Sequence, residues 1–262
     1  MDFTFKNKYT FEDLLRVMEI LRSENGCLWD RAQDHKSIRQ SFIEETYEVC
    51  EANDTEDTDL LKEELGDVLF QVVFHAQIEK ERGVFEIDDV IDGICKKMIY
   101  RHPHVFGNVE VSKTDEILNN WDDLKMTEKH QESVTDTLNS VARTLPSLIR
   151  AQKIQKKAAK SGFEWADVKD AIQKVHEELD EVERAMDGDG DISEEIGDLL
   201  FATAKVARFA EVDAERALEL TCEKFIRRFS YVESKAEEQG RPLSDMTLDE
   251  MTALWNEGKT NA

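Results

Sequence analysis

Paired acidic residues inside helix-like segments are the feature of this sequence that most constrains its fold. Glu45 and Glu48 form one pair and Glu64 and Asp67 another, and three-residue spacing projects each pair from one side of a helix. On a helical projection Glu45 falls inside an apolar stripe made by Ile38, Phe42, Val49 and Ala52. An unpaired carboxylate there would be costly or would take up a proton. Two helices that aim four acids inward therefore predict bound cations.

The composition indicates an all-α protein of 262 residues. There are only three prolines and eleven glycines, helix-period segments dominate, and alternating β-branched runs are scarce. With 35% charged residues, a single acidic pair would ordinarily be a solvated helix face. The prediction of a functional site therefore depends on the inward position of Glu45 and on recurrence of the pattern.

The net charge of −24 argues against a nucleic-acid binder, because phosphate contacts need clustered lysine and arginine. This charge is compatible with a small phosphorylated ligand, because a bound divalent metal makes the local charge positive. The four cysteines show no CxxC spacing, so we expect neither a disulfide framework nor a zinc site, and we expect the three in helical patterns to be core residues. Without an apolar leader or an 18-residue apolar run, the sequence predicts a cytoplasmic protein with no membrane segment.

The sequence repeats itself after about 130 residues. Glu177–Glu181 parallels Glu44–Glu48 at an offset of 133, and Glu194–Phe201 parallels Glu63–Phe70 at an offset of 131. In the same way Lys224 and Arg228 match Lys97 and Arg101, and Trp255 and Lys259 match Trp121 and Lys125. We predict an N-terminal repeat over 1–130, a linker over 131–145 and a C-terminal repeat over 146–262. Each repeat is expected to form a four-helix-type unit completed by dimerisation, because each presents few long helices of its own.

The ordered set of motifs resembles the MazG nucleoside triphosphate pyrophosphohydrolases. The set comprises EETYE, EELGDVLFQ and RHPHVFG in the first repeat, then EELDE, EEIGDLLFA and KFIRRF in the second. The resemblance covers nearly the whole chain. It implies an all-α homodimer that hydrolyses nucleoside triphosphates to the monophosphate and pyrophosphate with Mg²⁺, for which Mn²⁺ can substitute. One departure is Leu28, where the family usually has proline, and this puts the shape of that loop in question.

The resemblance also implies roles for individual residues. The metal ligands would be Glu178, Glu181, Glu195 and Asp198 in the second repeat, with Glu45, Glu48, Glu64 and Asp67 as their counterparts in the first. The nucleotide contacts would be Lys224, Arg228, Trp255 and Lys125, with Lys97 and Arg101 as the first-repeat counterparts of the two cations.

Hydrolysis between the α and β phosphates needs positioning and charge neutralisation rather than a side-chain nucleophile. Glu177 (or Glu44 in the first repeat) would accept the proton of the attacking water, and Lys224 and Arg228 would neutralise the leaving pyrophosphate. With Glu178, these are the predicted catalytic residues. We expect the second repeat to carry most of the activity, because Arg101 runs directly into His102-Pro103, which ends its helix and splays the last turn.

The alternative is a non-catalytic helical dimer that binds nucleotide or a protein partner. Its acids would serve only to fix the alignment of its helices. A ferritin-like redox di-metal bundle is disfavoured because no acidic helix carries the Glu-x-x-His pattern.

Overall fold

The computed structural model describes residues 3–108 and 133–261, with side chains to residue 259. Within these ranges every regular element is a helix, as the composition predicts, and no strand occurs. The chain divides into two compact units, Met1–Lys125 and Met126–Ala262, each containing one of the two repeats. Among the described residues no helix combines the length and apolarity needed to cross a membrane.

The described part of the first unit contains six helices. They are α1 (Phe11–Arg22), α2 (Leu28–Ala32), α3 (Arg39–Asp54), α4 (Thr58–Arg82), α5 (Ile87–Arg101) and α6 (Pro103–Phe106). The side chain of Asp57 caps α4 by accepting hydrogen bonds from two backbone N–H groups, and Gly83 ends α4 at a φ of 70°. A short link between α3 and α4 folds the two acidic helices against each other. The core beneath them is built from Met18, Ile38, Val73, Phe74 and Ile78.

The described part of the second unit contains six α-helices and a 3₁₀ turn. They are α7 (Val134–Asn139), α8 (Ser147–Lys160), α9 (Val168–Met186), α10 (Ile192–Phe209), α11 (Ala214–Glu238), the turn Leu243–Asp245 and α12 (Leu248–Asn261). The acidic helices α9 and α10 pack together, and α8 packs on α10. The α11–α12 hairpin encloses a separate apolar cluster of Val232, Ala236, Met246 and Leu254.

Three local features differ from simple sequence expectation. The stretch expected to be a linker contains α7, which has a capping box and packs on α8. The loop in which Leu28 replaces the family's proline is the short helix α2. The cysteines of helices α3, α5 and α11 (Cys50, Cys95 and Cys222) are exposed in the single chain rather than buried in its core. An exposed thiol on a helix is compatible with the expected absence of disulfides.

An ion pair fixes the turn between α11 and α12. The two terminal nitrogens of Arg241, Nη1 and Nη2, donate to Glu250 at 2.8 and 3.2 Å, and the backbone N–H of Thr247 donates to the same carboxylate at 2.8 Å. The hydrogen bonds from Arg241, then those from Thr247, lower the pKa of Glu250 to about 2. This pair holds the hairpin that carries Trp255.

The stability contributed by Glu250 is expected to depend on pH. Because the folded-state pKa is depressed from 4.5 to about 2, the contribution is complete above 4.5 and is lost as the pH falls towards 2. Glu250→Gln should therefore lower the melting temperature at pH 7, and the gap between variant and wild type should close over that acidic window. Thermal unfolding followed by circular dichroism measures this gap. A gap that is unchanged between pH 6 and pH 2 would contradict the assignment.

Candidate active site

The first unit brings three of its four predicted acids together. Glu45 and Glu48 on α3 and Glu64 on α4 each offer a carboxylate oxygen, and these oxygens lie within 4.8 Å of one another. Burial raises the pKa of Glu45, and the hydrogen bond that its protonated form donates to Glu48 and the negative charge of Asp67 raise it further. Burial and the neighbouring Glu48 likewise raise the pKa of Glu64. Asp67 therefore lies close enough to act electrostatically on the cluster.

The second unit repeats the arrangement with Glu178 and Glu181 on α9 and Glu195 on α10, whose carboxylate oxygens also lie within 4.8 Å of one another. Glu178 is only 6% exposed, as its place in the apolar stripe predicts. Burial raises the pKa of Glu195, followed by the negative charges of Glu181 and Asp198. Each unit thus concentrates like charges on two helices that face each other.

The crowded carboxylates fit a hard divalent cation. Mg²⁺ and Mn²⁺ favour carboxylate oxygens, and a cation would remove the mutual repulsion that raises these pKa values. The spacing of the acidic pairs therefore predicted a cluster that the fold assembles, with three acids in direct proximity and the fourth beside them in each unit.

Neutralising one acid of a cluster is expected to stabilise the metal-free protein. Glu195→Gln removes one of the crowded charges, so its melting temperature in EDTA should exceed that of the wild type by about 2 °C or more. The exposed Glu183, on the same helix as Glu181, provides the matched control, and Glu183→Gln should leave the melting temperature nearly unchanged. Differential scanning calorimetry distinguishes the two. A Glu195→Gln variant less stable than the wild type in EDTA would show that the cluster is not under repulsion.

A lysine accompanies the acids in the second unit. Lys174 Nζ lies 2.7 Å from Glu178 and 3.8 Å from Glu177, and the hydrogen bond to Glu178 raises the pKa of Lys174. At the offset that aligns the two repeats, the first unit has Ser41 at this position. At this position, therefore, the second cluster has a lysine and the first cluster has none.

A cavity of about 370 Å³ opens beside the acids of the second unit. Its lining residues are Gly162, Phe163, Glu164, Trp165, Lys174, Glu178, Asp198, Phe201, Ala202 and Lys205. One part of this set carries Glu178 and Asp198, two of the four predicted metal ligands, and another carries three aromatic rings together with a Lys–Glu pair. The cavity thus connects an acidic surface to an aromatic one.

The aromatic part of the cavity is organised around Glu164. Lys205 Nζ lies 2.9 Å from this carboxylate and 4.1 Å from the centre of the Trp165 ring, while Arg208 pairs with the other carboxylate oxygen. The backbone N–H of Trp165 donates to Glu164 at 3.1 Å. Burial alone would raise the pKa of Glu164, but the hydrogen bonds from Lys205 and Arg208 lower it overall. The pair is therefore charged and fixed in place.

The matching positions of the first unit hold different side chains. Phe74 stands where the second repeat has Lys205, and Gln71 stands where it has Ala202. Phe74 is 1% exposed and belongs to the core of its unit. A core side chain in one unit therefore corresponds to a cavity-lining lysine in the other.

The predicted nucleotide-binding cations of the second unit, Lys224 and Arg228, lie on α11, outside the helices α9 and α10 that carry the acid cluster. On α11 and α12, the Arg228 guanidinium carbon is 5.9 Å from the centre of the Trp255 ring, and Phe225 packs against the same ring at 4.9 Å. Among the described residues, neither Lys224 nor Arg228 forms an ion pair with a predicted ligand of the second unit. Arg228, Phe225 and Trp255 thus form a basic-aromatic surface of their own.

The remaining predicted residues have varied settings. Helix α5 ends at Arg101 as predicted, but Arg101 is buried rather than splayed, and Lys97 is half-buried. Helix α11 continues past Arg228 to Glu238 as predicted. Glu177 is half-exposed beside Lys174, and Glu44 accepts a hydrogen bond from Gln40. Trp121 and Lys125 lie outside the described residues.

Sequence reasoning missed the cavity residues Lys174, Glu164 and Lys205. Lys174 had a local signal, because it precedes Glu178 by one helical turn. Lys205 lies seven residues after Asp198 and hence on the same side of α10, but a lysine at that spacing usually belongs to a solvated face. Only the fold shows that Lys205 is buried and lines the cavity.

Comparison with known proteins places this geometry in a family. The profile described as "MazG nucleotide pyrophosphohydrolase domain" matches residues 33–106 and again residues 167–232. The nucleoside triphosphate pyrophosphohydrolase/pyrophosphatase MazG of Thermotoga maritima is 42% identical over 95% of this chain and 95% of its own length. The nucleoside triphosphate pyrophosphohydrolase of Escherichia coli K12 is also 42% identical, over 94% of this chain and 95% of its own. The uncharacterized protein YabN of Bacillus subtilis is 50% identical over 95% of this chain, which spans about half of that relative's length.

Proposed function

This chain belongs to the MazG family of nucleotide pyrophosphohydrolases, and from that premise we propose that it hydrolyses nucleoside triphosphates to the monophosphate and pyrophosphate. The proposed cofactor is Mg²⁺, for which Mn²⁺ would substitute, because the clustered donors are carboxylate oxygens. The strongly negative net charge favours free nucleotides over nucleic acid as the ligand.

The observation that carries the proposal is the cavity of the second unit. It joins carboxylates of the acid cluster to aromatic walls within one space of about 370 Å³. A nucleoside triphosphate has a matching polarity, with phosphates at one end and a flat base at the other. The phosphates would lie beside Glu178, Asp198 and Lys174, and the base would stack near Trp165.

In the proposed reaction, Glu178, Glu181, Glu195 and Asp198 would hold the metal ion. When bound, Mg²⁺ supplies charge neutralisation and polarises the phosphoryl oxygens. Glu177 carries a half-exposed carboxylate one residue from this set, so it would take the proton released as a water oxygen bonds to phosphorus and the bridging P–O bond breaks. Lys174, whose charged form is stabilised by its hydrogen bond to Glu178, would contribute positive charge near the phosphates.

We assign most of the activity to the second unit. Its acids have a neighbouring cation and a cavity, whereas the first unit places Ser41 and Phe74 at the corresponding positions. The first-unit set of Glu45, Glu48, Glu64 and Asp67 would still bind a cation. Its role would then be structural, because a bound metal removes the repulsion among these carboxylates.

The proposed dimer would cover an apolar face that the single chain leaves open. Ile196 and Leu200 on α10 and Phe225 and Ile226 on α11 are each about half exposed. A second copy packed on this face would complete a four-helix unit, and it would allow Lys224 and Arg228 of one copy to approach the acids of the other. Burying these side chains would supply the stabilisation that the open face lacks.

An acidic substitution on this face is expected to dissociate the dimer. Leu200→Glu would bury a charge at the interface, so the variant should elute with the mass of one chain while the wild type elutes with twice that mass. Leu248→Glu makes the same replacement at an exposed leucine that begins α12 and should remain dimeric. Size-exclusion chromatography with light scattering gives both masses. A monomeric wild type, or a dimeric Leu200→Glu variant, would remove this face as the interface.

A turnover assay tests the proposed function. Purified protein is incubated with Mg²⁺ and each of a panel of ribo- and deoxyribonucleoside triphosphates, and the products are separated by anion-exchange chromatography. Equal amounts of monophosphate and pyrophosphate are expected. Binding without turnover for every member of the panel would favour the non-catalytic alternative.

A further inference from the structure

The aromatic part of the second-unit cavity contains a buried cation. The Lys205 side chain is 9% exposed, lines the cavity and lies on the same helix as Asp198. Seven residues separate the two, so they share one side of α10 at a distance of about 10 Å along the helix axis. A nucleoside spans such a distance. With phosphates beside Asp198, the base would therefore reach Lys205.

The acceptor capacity of Glu164 is largely used by the protein. One of its oxygens accepts from the Trp165 backbone and lies within 2.9 Å of Lys205, and the other accepts from Arg208. An ammonium group has three donors, of which the contact with Glu164 uses one, while the Trp165 ring lies against the charged group. The group that this surface can offer to a ligand is consequently a donor from Lys205.

A single charged donor distinguishes nucleobases by their acceptors. A base carbonyl oxygen would accept from Lys205, whereas an exocyclic amino group at the same place would set donor against donor. Leaving one N–H donor of a buried ammonium group without an acceptor costs more than a neutral hydrogen bond contributes, even though the group keeps its ion pair with Glu164. Adenine, unlike guanine, hypoxanthine, uracil and thymine, has no carbonyl oxygen.

We propose that Lys205 is a specificity-determining residue that selects triphosphates whose base carries a carbonyl oxygen and discriminates against ATP. This inference rests on the proposed function, because it assigns the base to the cavity part opposite the acids. The first repeat has Phe74 at this position, which offers no donor, so the selectivity belongs to the second unit.

Inosine and adenosine triphosphates form the matched pair for the test, because they have the same size and differ at position 6 of the purine. The wild-type ratio of kcat/KM for ITP over ATP is expected to be at least about tenfold. In Lys205→Met the ratio should fall close to one, mainly through loss of activity on ITP. Lys156→Met replaces an exposed lysine on α8 and should leave the ratio unchanged.

A second variant and a binding measurement keep the test independent of folding and turnover. Glutamine can both donate and accept, so Lys205→Gln should also bring the ratio close to one while retaining a polar group beside Glu164. Calorimetric dissociation constants for IMP and AMP should show the same preference and the same loss. A wild type without preference, or a folded Lys205 variant that retains it, would overturn the inference. Absence of turnover on every triphosphate, with IMP still bound in preference to AMP, would instead refute the proposed function alone.

Discussion

Replacing Glu178 and Glu195 together by alanine is expected to lower kcat by at least about 100-fold, since changes even to groups that only support metal ligands reach that size. These two residues come from different helices and supply two of the three converging oxygens of the second cluster. Their loss leaves too few carboxylates to hold the cation that neutralises the phosphates. The second-unit cavity also loses an acidic lining residue, because Glu178 lines it.

The matched control is Glu45→Ala with Glu64→Ala, which removes the equivalent pair from the first unit. We expect this variant to keep a kcat close to that of the wild type, because its unit has a core phenylalanine where the other has the cavity lysine. Circular dichroism and light scattering should show that both double variants are folded and in the same oligomeric state. A greater loss of kcat in the first-unit variant would reverse the division of labour proposed here.

Removal of divalent metal is expected to abolish activity. After exhaustive dialysis against EDTA, turnover should fall to background and return on addition of Mg²⁺ or Mn²⁺, because the site collects carboxylates and has few cations of its own. Full activity in the presence of EDTA would contradict a metal-dependent mechanism.

A structural readout separates metal binding from catalysis. Mg²⁺ should raise the melting temperature of the wild type, because binding to the folded state alone stabilises it. Each double variant should retain part of this Mg²⁺-induced rise in melting temperature. A variant that combines the four substitutions, at Glu45, Glu64, Glu178 and Glu195, should lose it. An unchanged shift in that quadruple variant would place the metal elsewhere.

Local patterns were sufficient to predict the acidic helices. The three-residue spacing of Glu178 and Glu181, and the apolar positions around Glu178, specify which side of α9 is buried, and Glu178 is buried in the fold. Caps such as Asp57 and stops such as Gly83 are likewise properties of a few neighbouring residues. Repetition of the pattern then identified two units.

The cavity was beyond such patterns because its walls come from distant parts of the chain. Trp165 precedes α9 and Lys205 lies in α10, forty residues later, so their contact depends on how α8, α9 and α10 pack. An alignment of the two repeats shows that Phe74 corresponds to Lys205. Only the fold shows that Phe74 lies in a core and that Lys205 lines a cavity. Activity in the second unit was predicted from the cations after the acids, whereas the fold supports it through Lys174 and the cavity.

The most direct test of the central claim is the identity of the bond that is broken. ³¹P nuclear magnetic resonance can follow a triphosphate in the presence of Mg²⁺, with the Glu178→Ala, Glu195→Ala variant measured in parallel. We expect the wild type to convert the three triphosphate resonances directly into those of a monophosphate and pyrophosphate, and the variant to leave them nearly unchanged. Accumulation of a diphosphate with inorganic phosphate, or the same rate in the variant, would contradict it.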